Sequence, residues 1–376
     1  MGVPGAMTSI PTDPKSLPYA PLTLSRKGTR RVGADVVLRA LTGASALVIL
    51  AMLLALIGVL TWAAMPSIRH FGLKFLVGTD WRANAVERPM RDAQGKLVKD
   101  ADGETVTETL PESYGALNVI YGTTASSLLA LLFAVPLSLG AALFLVRVAP
   151  RWLAPPVSFL VEFLAAIPSI AYGLWGLFVL APFLQQRVEP FFKATLGDVP
   201  GFGWLFVDTV QVGARQIVRP IPLTGRDLFC GGILLGIMIV PIITAIARDV
   251  LRGVPRAQVE GTTALGATWW QSCKEMLKYS RSGLFGAVML GLARAAGETM
   301  AVAMVIGNHN RINASPFAPA QTMSSLLANE FTEANGVLHP AALIEVALIL
   351  LGMSLVFNVV ARWLVVGKNA RTAAAH

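Results

Sequence analysis

The sequence predicts an all-α integral membrane protein with about six transmembrane helices. Apolar residues make up 54% of the chain and charged residues only 14%, and the mean hydropathy is +0.61. This composition is typical of a membrane protein and not of a soluble globule. A helix needs about 20 mostly apolar residues to cross a bilayer. Six stretches are long enough, at residues 41–65, 119–146, 157–184, 228–250, 283–307 and 341–366.

The first apolar stretch follows a long polar segment. Residues 1–37 are rich in proline and polar residues and end in a basic run. We expect a disordered cytoplasmic tail here and not a cleaved signal peptide, because the apolar core begins only near Leu41 and then runs too long. The transmembrane domain is predicted over residues 38–367, followed by a short cytoplasmic tail at 368–376.

The second and third stretches each contain a proline, at Pro136 and Pro168. Membrane helices tolerate proline where neighbouring groups satisfy the freed carbonyls, so both stretches are predicted to continue as spans. Long loops fall between spans at 66–118, 185–227 and 308–340. Within the first of them, residues 96–107 alternate around an Asp-Gly pair, which predicts a β-hairpin. A partner contact and a solvated insertion both remain open for that hairpin.

Lysine and arginine predict the orientation. They collect before the first span, after the second span, in the segment 251–282 and at the C-terminus. With six crossings these four regions lie on one side of the membrane. Because cytoplasmic loops carry an excess of basic residues, both termini are predicted to be cytoplasmic.

The segment 251–282 is predicted to form two short amphipathic helices. Glu260 opens the first, and Gly266 follows six residues later, before the second begins. Short helices that project from a membrane domain suit docking into a groove of a cytosolic partner. An ordinary pair of interfacial helices is the alternative.

This block resembles the EAA loop of ABC importer permeases, which reads Glu-Ala-Ala, three residues, then Gly. The chain keeps Glu260 and Gly266 at this spacing, has Gly261 and Thr262 in place of the two alanines, and lacks the Leu-Pro that closes the motif. The resemblance implies that an ATPase docks on this segment. The residues implied are Glu260, Gly261, Thr262, Gly266 and Ala267.

Further blocks are similar to the PstC-type phosphate permeases. They lie at residues 67–81, 167–176, 294–302 and 305–308 and are spread in this order through most of 41–366. The resemblance implies a type I ABC importer permease in a bacterial inner membrane. The implied partners are a PstA-like sister permease, two copies of a PstB-like ATPase and a periplasmic phosphate-binding protein. ATP and Mg would be bound by the ATPase, and no cofactor is expected on this chain.

The fifth stretch, 283–307, carries two charges near its middle. Arg294 and Glu298 are four residues apart, which places them on one face of a helix. A charge at this depth costs roughly 2.5–3.5 kcal/mol, so the pair must face a partner or a water-filled cavity. An arginine matches phosphate oxygens bidentately. Glu298 can neutralise Arg294. It can also accept a hydrogen bond from a protonated phosphate, which fully ionised sulfate cannot donate.

Three residues are therefore the predicted substrate pathway: Arg294, Glu298 and Thr299. A buried ion pair that serves only packing is the alternative for the two charges, and the Thr299 hydroxyl can equally bond a neighbouring helix. Small residues recur every fourth position in the same stretch, and this stripe predicts close helix packing. Its members are Gly283, Ala287, Gly291 and Ala295.

Several functions are disfavoured. The sequence has no Gly-x-x-x-x-Gly-Lys-Ser/Thr motif, so the chain is not expected to hydrolyse ATP by itself. Two cysteines and four scattered histidines do not suggest a disulfide framework or a metal site. No basic domain interleaved with aromatic residues points to nucleic acid. A permease for molybdate or sulfate, a secondary anion transporter and a membrane scaffold remain as rivals.

Overall fold

A computed structural model describes residues 32–83, 86–89, 107–212 and 215–373. The chain divides into two compact units, Met1–Leu56 and Ile57–His376. Helix α1 (Val32–Phe71) supplies the described part of the first unit, and all its described side chains from residue 36 to residue 56 are exposed. Because α1 begins at Val32, residues 32–37 are helical, although the sequence suggested a tail there. Residues 1–31 lie outside the described ranges.

The second unit is mostly helical. The helices that follow α1 are α2 (Lys74–Val77), α3 (Leu117–Leu143), α4 (Ala154–Ala166), α5 (Ser169–Trp175), α6 (Ala181–Phe183) and α7 (Glu189–Leu196). The later helices are α8 (Leu228–Arg252), α9 (Arg256–Ala264), α10 (Trp269–Tyr279), α11 (Arg281–Ala296), α12 (Met300–Val305), α13 (Met323–Glu330) and α14 (Leu338–Ala373). The π-helical turns Phe144–Val148, Gly176–Leu180 and Leu184–Val188 extend α3 and connect α5, α6 and α7. Two 3₁₀ turns lie at Gly203–Phe206 and Phe331–Glu333.

Short antiparallel strand pairs stand between the helices. Strand β1 (Trp81–Arg82) pairs with β4 (Ser113–Tyr114), β2 (Val86–Pro89) pairs with β3 (Thr107–Leu110), and β5 (Val207–Val212) pairs with β6 (Arg215–Pro220). The hairpin predicted at 96–107 lies outside the described residues, apart from Thr107 in β3.

The structure confirms the all-α membrane class and corrects the number of straight spans. Among the described residues, four helical segments are long and apolar enough to cross a membrane: Val36–Phe71, Leu117–Val148, Leu228–Arg252 and Leu338–Val360. One further pair of helices, Ala154–Ala166 with Ser169–Leu196, is long and apolar enough only when taken together, and it is bent by 90°. The remaining two of the six expected spans, the third and the fifth, are therefore not straight helices.

Pro168 explains the break in the third predicted span. The ring of a proline disfavours helical geometry in the residue before it. Ile167 accordingly has ψ 130°, Pro168 has ψ 139°, and the helix stops at Ala166. The third predicted span is therefore bent at this proline and does not form one straight helix.

The fifth predicted span is interrupted at residues 297–299. Helix α11 has 16 residues and α12 has 6, so neither reaches the length of a span by itself. Non-helical backbone inside a membrane protein needs partners for its freed polar groups. The Ser324 hydroxyl provides one, because it donates to the main-chain oxygen of Glu298 at 2.6 Å.

The core of the second unit forms around α8, which packs against α3 and α11. On the α11 side, a Cβ added to Gly291 would lie 2.7 Å from Ile243, and one added to Gly283 would lie 2.7 Å from Val250. Ala287 and Ala295 of the same stripe are buried. The predicted close packing of this stripe is confirmed, and it fixes the helix that carries Arg294.

Candidate functional site

The charged pair lies at the break between α11 and α12. The Nη2 atom of Arg294 is 3.7 Å from Oε2 of Glu298, which is ion-pair distance but too long for a hydrogen bond. The Arg294 side chain is 51% exposed, whereas that of Glu298 is 5% exposed. The sequence placed both on one face of a helix. In the structure Arg294 belongs to the last turn of α11, while Glu298 lies beyond the end of that helix.

The break is bonded to α13, which is itself bonded to α3. Besides the bond from Ser324 at the start of α13, the main-chain N–H of Met323 donates to Thr123 Oγ1 of α3 at 2.9 Å. A capping box between Thr322 and Ser325 fixes the first turn of α13. The position of Glu298 is therefore set by α3 and α13 as well as by its own chain.

Thr299, the third predicted pathway residue, lies in the same break. It is half-buried, and its hydroxyl donates to the main-chain oxygen of Gly297 at 3.3 Å. This contact closes the local turn. The hydroxyl thus has a structural partner within the break itself.

The arrangement at the break suits an anion. Arg294 keeps most of its donors free of Glu298 while remaining charged, and half of its side chain is open. The nearby carboxylate limits the cost of holding that charge when no anion is present. An arriving oxyanion can therefore replace Glu298 as the main partner of the guanidinium.

A second charged cluster joins α4 to α8. Arg248 is buried, and its Nη2 atom lies 2.9 Å from Glu162 and 3.0 Å from Asp249. An arginine held by two carboxylates has little capacity left for a further anion. This cluster therefore ties two helices together, and Arg294 remains the arginine of the broken span that is open to a ligand.

The segment predicted to couple to an ATPase forms two helices, as expected, but their start differs. Helix α9 begins at Arg256, so Glu260 lies in its middle instead of opening it. Glu260, Gly261 and Gly266 are exposed, and Thr262 and Ala267 are half-buried. The five predicted coupling residues thus lie together on α9 and its C-terminal turn.

The turn after α9 explains the glycine of the motif. Gly266 has φ +82°, its N–H donates to the carbonyl of Thr263 at 3.0 Å, and the N–H of Ala267 donates to the carbonyl of Thr262 at 3.1 Å. These two bonds form a Schellman motif, which needs a residue in the left-handed region. The turn therefore fixes the angle at which α10 leaves α9.

Exposed apolar side chains surround this turn. Leu265 is 91% exposed, and Trp269 and Trp270 are about half exposed. Between α9 and α10 lies a groove of about 370 Å³, lined in part by Val259, Thr262 and Met276. Large apolar groups rimmed by polar ones mark protein contacts. The sequence motif pointed to the segment, whereas the exposed Leu265 was not singled out.

A buried acid pair was also missed by sequence reasoning. Glu189 at the start of α7 and Asp227, the N-cap of α8, are both fully buried, and the two carboxyl groups are near enough to affect each other's protonation. Asp227 Oδ1 also accepts from the N–H of Cys230 at 2.8 Å. Burial raises the pKa of Asp227 to about 8, and the Glu189 carboxyl adds to the rise. The two residues are distant in sequence, so no local pattern reveals the pair.

Comparisons with known proteins show the family of this chain. Residues 134–367 match the family of binding-protein-dependent transport system inner membrane components. The phosphate transport system permease protein PstC of Mesorhizobium japonicum is 38% identical, over 90% of this chain and 92% of that protein. The PstC protein of Haemophilus influenzae is 36% identical over 92% of this chain and 97% of its own length. The PstC protein of Pasteurella multocida is 39% identical over 88% of this chain and 91% of its own length.

Among solved structures, an inward-facing form of the MetNI methionine ABC transporter aligns with 67% of this chain and 94% of its own. The TM-score is 0.45 and the identity 16%. The family match covers well over half of the sequence, and the curated relatives match along nearly all of it. The chain belongs to the family of binding-protein-dependent transport system inner membrane components and is a multi-pass permease subunit of the inner membrane.

Proposed function

We propose that this chain forms half of the translocation pathway of an ATP-driven importer of inorganic phosphate. The curated relatives are named as phosphate transport permeases, which supports phosphate as the cargo. The observation that carries the proposal is Arg294, a half-exposed guanidinium at a broken span beside a buried carboxylate. A planar guanidinium binds tetrahedral oxyanions through paired hydrogen bonds.

The charges at the break exchange partners during transport. In the empty pathway Glu298 neutralises Arg294. When phosphate arrives, its oxygens take the donors of Arg294, and a protonated phosphate oxygen donates to the Glu298 carboxylate. Fully ionised sulfate has no such proton, so Glu298 favours phosphate over sulfate. Thr299 keeps the backbone of the break in shape.

The other parts of the transporter are separate chains. A PstA-like permease supplies the second half of the pathway, two PstB-like ATPases bind ATP and Mg, and a periplasmic binding protein delivers phosphate. The ATPases dock on the coupling segment, from Glu260 to Ala267. Helix α10 starts just after that turn and leads into α11 at Arg281, and α11 ends at the break. A movement of α9 is therefore transmitted along two consecutive helices to Arg294.

Phosphate import by an Arg294→Gln variant tests the proposal. We expect import to fall by about 10-fold or more, because Arg294 is half-exposed and a hydrogen bond to a charged group contributes roughly 1.5–3 kcal/mol. The measurement is uptake of labelled phosphate in cells that express the complete transporter. Arg151→Gln, at an exposed arginine between α3 and α4, is the matched control and should import normally. Normal import by Arg294→Gln would refute the pathway role.

The same assay separates the rival functions. An excess of sulfate or molybdate should leave phosphate uptake unchanged, whereas strong competition would favour a permease for another oxyanion. Import that continues after the ATPase is inactivated would favour a secondary anion transporter. The exposed apolar side chains around Gly266 favour an ATP-driven importer, since a secondary transporter has no cytosolic ATPase to dock there.

A further inference from the structure

A basic cavity lies on the side of the molecule that faces outward in the proposed orientation. Its volume is about 270 Å³, slightly below the usual range of pockets for small organic ligands, roughly 300–1,000 Å³. Strand β6 contributes Arg219, and the segment after α12 contributes His309, Arg311 and Asn313. A cavity of this size and lining suits a small inorganic ion.

The walls of this cavity are fixed by hydrogen bonds. Asn313 Nδ2 donates to Asp208 Oδ1 at 2.8 Å, and the Tyr121 hydroxyl donates to the main-chain oxygen of Asn313 at 2.8 Å. The N–H of His309 donates to the carbonyl of Ala320 at 3.2 Å. Hydrogen bonds between the β5–β6 pair, α3 and the segment after α12 therefore hold the cavity together without a ligand.

The cavity carries a net positive charge. Arg219 and Arg311 are exposed, and neither forms a salt bridge with a carboxylate of the described part of the chain. Asp208 is the acidic residue in the lining, and one of its oxygens already accepts from Asn313. Two guanidinium groups are thus open to an anion.

A second cavity lies next to this site, on the side of helix α12. It measures about 290 Å³, shares Pro319 with the first, and adds Arg226 and Asn308. Ala303 and Met304 of α12 also line it. Helix α12 has 6 residues, which is about 9 Å at 1.5 Å per residue, and it starts directly after the break that holds Glu298. One short helix therefore separates the second cavity from the break.

We infer that Arg219, Arg226 and Arg311 form an outer capture site, which holds an inorganic oxyanion of the phosphate class before it reaches Arg294. The inference rests on the proposed function, because it needs phosphate as cargo and this face on the outside. The capture site retains phosphate released by the binding protein and so prevents its escape to the medium. Transport without it is wasteful: ATP is hydrolysed while phosphate is lost.

The test uses the complete transporter in proteoliposomes, with the binding protein outside and ATP on the side of the ATPases. Imported phosphate and hydrolysed ATP are measured over a range of binding-protein concentrations. For the double variant Arg219→Gln/Arg311→Gln we expect the phosphate imported per ATP to fall on the order of 10-fold, since hydrogen bonds to charged groups are strong. The half-saturating concentration of binding protein should stay unchanged. Arg187→Gln, exposed and outside both cavities, should behave as the unsubstituted protein.

An unchanged ratio of phosphate to ATP in the double variant would overturn the inference. If the half-saturating concentration of binding protein is raised at the same time, this face is a docking surface for that protein. Arg226→Gln, at the second cavity, is an independent variant if the double variant does not assemble; its ratio should fall, and an unchanged ratio counts against the site.

The same experiment keeps the two proposals apart. If the unsubstituted transporter imports no phosphate, the proposed function fails. If it imports phosphate, Arg294→Gln does not, and the double variant is normal, then only the capture site fails.

Discussion

At the scale of single residues, the chain uses its buried charges in different ways. Arg248 is enclosed by two carboxylates and ties α4 to α8. Arg294 is half open and has one carboxylate at 3.7 Å. The guanidinium of Arg248 is occupied by two carboxylates, so we assign it a structural role. That of Arg294 is partly free, so we assign it to anion binding.

The buried pair of Glu189 and Asp227 predicts a dependence of stability on pH. The carboxyl of Asp227 has an ordinary pKa of 3.8 in the unfolded chain and about 8 in the folded one. Between those values the folded state keeps a proton that the unfolded state has lost. Stability therefore falls as the pH rises through this window and levels off above it.

An Asp227→Asn variant should weaken this dependence. The asparagine keeps an oxygen for the N–H of Cys230 but carries no titrating proton. We expect its apparent melting temperature to rise relative to the unsubstituted protein as the pH increases from 5 to 8. Thermal unfolding of the purified transporter measures this, with Asp198→Asn, at an exposed carboxylate, as the control. Parallel curves for the unsubstituted and Asp227→Asn proteins would contradict the assignment.

At the scale of elements, hydropathy predicted the helices that are uniformly apolar. It did not predict the places where a helix is interrupted inside an apolar stretch. The apolar runs of α1, α3, α8 and α14 correspond to long helices. The breaks at Pro168 and at residues 297–299 leave hydropathy unchanged when it is averaged over a span, so the pattern gave no signal for them. The break at 297–299 depends on Ser324, which is distant in sequence and supplies a hydrogen bond only in the folded chain.

The candidate sites were predictable to different degrees for the same reason. Glu260 and Gly266 belong to a local motif, and the structure shows that the glycine is required by the left-handed turn. Arg294 stands out in sequence because a charge is rare inside an apolar stretch. The Glu189–Asp227 pair and the outer basic cavity unite residues from separate loops, so only the folded chain brings them together.

The turn after α9 gives a prediction about coupling. In a Gly266→Ala variant the left-handed conformation costs about 1–2 kcal/mol, and no neighbouring atom would clash with the new methyl group. The turn opens, α10 leaves α9 at another angle, and the ATPase binds less. Co-purification of the ATPase with the tagged permease measures this effect.

The matched control for that variant is Gly336→Ala. Gly336 has φ +73°, and its added methyl group would also meet no atom within 4 Å, but it lies in the loop before α14. The same backbone strain therefore arises away from the coupling segment. Equal loss of the ATPase in both variants, or full retention in Gly266→Ala, would contradict a docking role for the turn.

At the scale of the whole molecule, burial distinguishes the helices of the chain. In an apolar stretch of 18 residues from each long helix, the share of buried residues is 61% in α8, 28% in α3, 17% in α14 and 0% in α1. Helix α8 is thus the central helix of its unit, and the exposed apolar faces of the others need lipid or another subunit to cover them. A permease that forms half of a pathway must present such faces, because its partner completes the structure.

The proposed function requires Arg294 to lie in a water-filled conduit. Labelling of an Arg294→Cys variant in the assembled transporter tests this most directly, because both native cysteines, Cys230 and Cys273, are buried and give little background. A small anionic thiol reagent should label this position in at least one nucleotide state, and Ala295→Cys, next to it but buried, should stay unlabelled. An exposed reference, Arg187→Cys, shows that the reagent is active. Failure to label Arg294→Cys in every nucleotide state, while the reference reacts, would contradict the account.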